Sequence, residues 1–133
     1  MQQPANEDEI RGAVDRYAAA WAAGDMAGIV ACYHDSFTLH YFGRSALAGD
    51  HVGKAAALKT LAEFSRRVGG RRLVGAPMVT AGPERGVVIA REALGPQGVE
   101  VERVLVYAVR DGLLAECWVY DQDQRVIDEL VGP

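Results

Sequence analysis

The sequence predicts an α+β fold, with helices in the first half of the chain and antiparallel strands in the second. Two observations carry this. Apolar residues recur at helical spacing over 10–21 and again over 55–68. From residue 71 onward the chain alternates apolar and polar residues between turn signals, "GPQG" at 95–98 and "DG" at 111–112. Helices followed by a run of strands place the helices on one face of a sheet.

The elements follow in order. Residues 1–5 read as a loose tail. Asn6 with Glu9 three positions on is a capping-box-like start. Ile10, Val14, Tyr17 and Trp21 then form one stripe of a helix. "AAGD" ends it: Gly24 suits a helix stop, and Asp25 can cap a short second helix over 26–33. "SFTLHYF" alternates Phe37, Leu39 and Tyr41 with Thr38, His40 and Phe42, as a strand does. The stretch "HYFGRSALAGDHVGK" connects this strand to a helix over 55–68, which Gly69-Gly70 stops. Strands are expected at 72–80, 85–94, 99–110 and 113–121.

At 133 residues the chain is expected to form a single domain, 1–133, and half of its residues are hydrophobic, enough for a sizeable core. The net charge of −4 and the lack of a basic stripe argue against nucleic acid as a partner. Arg66, Arg67, Arg71 and Arg72 read as a solvated helix end, where cations suit the dipole. No run approaches the roughly 18 apolar residues of a membrane helix. The start "MQQPANEDEI" is not that of a signal peptide, so a cytoplasmic location is expected. Cys32 and Cys117 show no metal-type spacing, nor do His34, His40 and His51, so no metal is expected.

The hairpins allow a register estimate. A turn at 95–98 sets Arg91 opposite Glu102, and a turn at 111–112 sets Glu102 opposite Asp121. Directly opposed residues share a face, so Arg91, Glu102 and Asp121 would form one charged row. Val87, Ile89, Val104, Val106, Cys117 and Val119 continue that face as an apolar wall. The other face would carry Arg103, Leu105, Tyr107, Glu116, Trp118 and Tyr120. A slip of one residue in either hairpin would exchange these assignments. If Leu39 and Tyr41 face the core, His40 faces away; it titrates near neutrality and is a candidate acid or base.

The stretch from "VDRYAAAWAAGDMAGIVACYHDSF" through "HYFGRSALAGDHVGK", with the closing "DGLLAECWVY", resembles the SnoaL-like polyketide cyclase group of the nuclear transport factor 2-like superfamily. The resemblance covers residues 8–123. It implies a cone: three helices packed on a curved, mainly antiparallel sheet, with a pocket inside. Tyr17, Trp21, Leu39, Tyr41, Ile89, Val104, Val106, Cys117 and Val119 would line that pocket. Tyr17 matches the oxyanion-hole tyrosine of ketosteroid isomerase, whose general base falls at Tyr41 and whose second acid falls near Leu105. Arg91 falls at the arginine of limonene epoxide hydrolase, whose aspartate positions are Ala93 and Val119. His40 matches the cyclase histidine after the first strand; Cys117 stands where some members have a second histidine.

The candidate catalytic residues are therefore Arg91, Glu102, Asp121 and His40. The expected function is a cofactor-independent enzyme, an isomerase, cyclase, dehydratase or epoxide hydrolase, acting on a small hydrophobic molecule. The alternative is a binding or dimerisation module without catalysis. A cavity below roughly 300 Å³ would favour the alternative. The resemblance also implies a homodimer, expected through the sheet face bearing Trp118 and Tyr120.

Overall fold

The computed structural model describes residues 5–133, so residues 1–4 of the expected tail lie outside it. The chain runs α1 (Glu7–Ala22), α2 (Met26–Ala31), β1 (Tyr33–Tyr41), β2 (Gly49–Val52), α3 (Lys54–Val68), β3 (Arg71–Leu73), β4 (Met78–Ala81), β5 (Gly86–Leu94), β6 (Val99–Arg110), β7 (Leu113–Asp121) and α4 (Gln124–Val131). The strands form one curved, unclosed sheet in the order β2-β1-β7-β6-β5-β3, and β4 also pairs with β5. Every pairing is antiparallel except β1 with β7.

The helix starts behave as their sequences require. Asn6 accepts a hydrogen bond from the Glu9 amide at 2.9 Å, and Asp25 accepts one from the Gly28 amide at 2.9 Å. Ile10, Val14 and Tyr17 of the α1 stripe are buried. The helix lies so close to the sheet that a Cβ on Gly86 would come within 2.5 Å of Val14. Phe64 and Val68 of α3 are buried against Leu39, Tyr41 and Leu94 in the same core. Each such side chain removed from water contributes about 1.5–3 kcal/mol.

Three elements differ from the expectation. The connector 43–54 is half of a hairpin, because Gly49–Val52 pairs with Thr38–Tyr41. The expected strand 72–80 is two short strands on the same edge of β5, separated where Gly75 takes a φ of +74° and Pro77 offers no N–H. A fourth helix, α4, closes the chain. Asp123 caps it through the Val126 amide at 3.3 Å, and Ile127 and Val131 are buried.

The decisive detail is a β-bulge in β7. Arg110 faces Leu113 and Val109 faces Leu114, as a two-residue turn requires, but Ala108 then faces Glu116. Ala115 is the extra residue. Beyond it every β7 side chain is displaced by one relative to a regular hairpin, which exchanges its two faces.

Candidate functional site

The concave face of the sheet carries a row of four charged side chains, one from each of four strands. Arg71 donates from Nε and Nη2 to the two oxygens of Glu92, at 2.6 and 3.0 Å. Arg103 Nη1 reaches Glu92 Oε2 at 3.3 Å. Its Nε and Nη2 bind the Asp121 carboxylate at 2.6 and 3.3 Å. The row is assembled by register: Arg71 lies opposite Leu94, diagonal to Glu92, and Arg103 lies directly opposite Asp121. The side chains of Glu92, Arg103 and Asp121 are only 1–2% exposed, whereas Arg71 is 22% exposed. Phe64 packs against both guanidinium groups, 4.4 Å from Arg103 and 5.2 Å from Arg71. Burial opposes the positive charge of Arg103, but Tyr41, Asp121 and Glu92 outweigh it and hold the group ionised.

Next to this row lies a phenol cluster. Tyr17 hydrogen-bonds through its side chain to Tyr107 and Tyr33, and Tyr107 in turn to Cys117. Burial raises all three phenols above their usual range, so they stay protonated at neutral pH. Burial also pushes the Cys117 thiol up to about 12, which makes it an inert core residue. Among the described residues no buried side-chain nitrogen or oxygen lacks a hydrogen-bond partner.

A cleft of about 290 Å³ opens between α1, α2 and α3. Tyr17, Trp21, Ile29, Tyr33, Leu58 and Leu61 wall it, with Arg71 and Ser65 as further polar groups. No carboxylate or imidazole of the described residues lines it.

The predicted site residues divide between two faces. Arg91 and Glu102 are paired, as the first hairpin requires, but on the convex face, and Arg91 is exposed. Asp121 lies on the concave face beside Arg103. The expected row is therefore split: the bulge at Ala115 moved Asp121 across to the concave face, where it joins Arg103 and Glu92. Cys117 and Val119 likewise join Leu105 and Tyr107 in the core, with Tyr17, Leu39 and Tyr41. Ile89, Val104 and Val106 are only partly buried and share the convex face with Trp118 and Tyr120.

His40 faces outward. Its Nδ1 lies 2.6 Å from Asp50, its Nε2 lies 2.5 Å from Glu116, and its ring stacks on Trp118. Desolvation lowers its pKa, but the hydrogen bonds and charges of Asp50 and Glu116 outweigh that and raise it. His34 sits in β1 and bonds Ser36 and Asp111. Gly43–Ala48 rests on α4 through Arg44 N to Asp128 at 3.0 Å and Ala46 N to Gly132 at 2.9 Å.

Arg71 and Glu92 were not foreseen. Arg71 reads as part of a solvated cluster, yet alternation with the exposed Arg72 beside Leu73 is the strand signal that turns it inward. For Glu92 the signal is weaker: an acid inside the apolar run "ALG" and "VVIA" on either side.

The SnoaL-like domain family matches residues 14–117, and the chain belongs to it. No curated protein matches the chain in sequence. Among solved structures, a nuclear transport factor 2-like protein from Burkholderia xenovorans is 22% identical, with a TM-score of 0.70 over 98% of this chain and 100% of that one. TerC, co-crystallised with polyporic acid, is 23% identical, with a TM-score of 0.75 over 92% and 98%. A provisionally assigned polyketide cyclase from Xanthomonas campestris pv. campestris is 16% identical, with a TM-score of 0.69 over 96% and 100%. At these identities the likeness is one of fold.

Proposed function

We propose that this SnoaL-like domain binds a small, mainly hydrophobic molecule in the cleft between α1, α2 and α3. The observation that carries the reading is the composition of that cleft: aromatic and aliphatic walls with one arginine among them. Its volume, about 290 Å³, is at the lower end for ligand sites, so the ligand is small. TerC, which shares the fold, was co-crystallised with polyporic acid.

Acid-base catalysis is the second reading, favoured by the provisional cyclase among the similar structures. Here a reaction would have to use Arg71 and Tyr17 to stabilise a developing negative oxygen. Glu92 and Asp121 are sealed within ion pairs, and neither lines the cleft. A general base needs to come within hydrogen-bond reach of the proton it removes. Binding is therefore the function the geometry supports best.

The test uses a Trp118→Phe background, in which Trp21 alone reports on the cleft by fluorescence. The neutral fluorophore N-phenyl-1-naphthylamine should bind one per chain and quench Trp21. Ala62→Phe, a substitution at an exposed position on the cleft edge that adds no tryptophan, should weaken it tenfold or more. Binding untouched by Ala62→Phe would place the ligand elsewhere and defeat the proposal.

We also propose that two copies pair through the convex face, where Val104, Val106, Trp118 and Tyr120 lie side by side.

A further inference from the structure

The hydrogen bonding of Arg71 is incomplete in one direction. Its Nε and Nη2 are taken by Glu92. Its Nη1 has no hydrogen-bond partner among the described residues, and no buried side-chain nitrogen there is left unpaired, so Nη1 is open to solvent. The guanidinium lies on the concave face, 5.8 Å from the ring of Trp21, and both residues line the cleft. The hydroxyl groups there are already engaged, and the one other donor, the Trp21 indole N–H, carries no charge. Ser65 Oγ donates to the Leu61 carbonyl at 3.3 Å, and Tyr17 and Tyr33 bond within the phenol cluster. One cationic donor, Arg71 Nη1, thus belongs to the lining of a mainly apolar, aromatic-walled pocket.

We infer that the cleft selects a flat, apolar molecule carrying one ionised oxygen group, which accepts hydrogen bonds from Arg71 Nη1. This rests on the cleft being the ligand site. Aromatic walls formed by Tyr17, Trp21 and Tyr33 suit a planar body. An ionised acceptor on a guanidinium makes a charge-assisted bond, about twice as strong as a neutral one. The apolar surroundings strengthen it further by excluding water. Glu92 holds the guanidinium in place from the opposite edge and is itself fixed by Arg103, so the donor is presented pre-oriented. Arg71 is the specificity-determining residue in this arrangement.

An acid-and-ester pair tests the inference. 2-Naphthoate and methyl 2-naphthoate share one aromatic body and differ in the ionised oxygen. Calorimetry on the wild-type chain should show the acid binding at least tenfold tighter at neutral pH. Arg71→Met should abolish that preference while the ester still binds, because Glu92 keeps Arg103 as a partner. Arg71→Lys should retain part of it. Equal affinities for acid and ester in the wild type would overturn the inference and leave the hydrophobic cleft standing. A preference that survives Arg71→Met would also overturn it. Failure of both compounds to bind would remove the cleft reading and this inference together. The wild-type comparison needs no variant, so it decides the matter even if Arg71→Met does not fold.

Discussion

The concave and convex faces of the sheet carry similar charged residues in different surroundings. On the concave face Arg71, Glu92, Arg103 and Asp121 form one line in which three members are nearly sealed. On the convex face Arg91 lies opposite Glu102 in register, and His40 bridges Asp50 and Glu116, whose side chains are 70% and 36% exposed. The same ion-pair chemistry has different consequences on the two sides. A solvated pair contributes about 0–1 kcal/mol, because water competes for both charges. A buried pair adds little net stability either, but removing one partner strands the other without water.

That contrast can be broken most directly at the two arginines of β5 and β6. Arg103→Ala leaves Asp121 without its partner in the core and should cost about 3–5 kcal/mol in urea unfolding. Arg91→Ala should cost less than about 0.5 kcal/mol. Similar costs at the two positions would refute the assignment of faces. A smaller effect is expected on the convex face as a whole. Tyr120→Glu should reduce the sedimentation mass at micromolar concentration from two chains to one. A wild-type mass of one chain would refute the pairing.

The smallest effect is the pH response of His40. Its folded pKa is raised above the ordinary value of 6.5. The proton it holds therefore contributes stability that is complete below about pH 6.5 and is lost as pH rises through the folded pKa. His40→Asn should flatten the melting temperature across that window. A wild-type melting temperature that rises over the same window would reverse the sign and refute the charged bridge.

Much of the scaffold was legible before the fold. The caps at Asn6 and Asp25, the α1 stripe and the two hairpin turns are local signals, read within a few residues of one another. The family signature at 40–54 was legible too, although its part in the structure is a hairpin seated on α4 and not a wall of the cleft. Helix α4 was missed because eight residues give barely two turns of periodicity. Arg71 was missed because a cluster of basic residues looks the same whether one member turns inward or all face water.

Sequence alone established the α+β class, the order of the long elements and the pairing of Arg91 with Glu102. It also placed "RE" at 91–92 against "ER" at 102–103, so that either face of the hairpin could carry an ion pair. Which pair lies inside was left to tertiary structure. The curvature of the sheet and the packing of α1 and α3 set the concave face, and one bulged residue, Ala115, carried Asp121 to it. A strand repeats every two residues, so a single inserted position reverses the face of everything beyond it. No local pattern records such an insertion; it is fixed by the contacts that Cys117, Val119 and Asp121 make once the core closes.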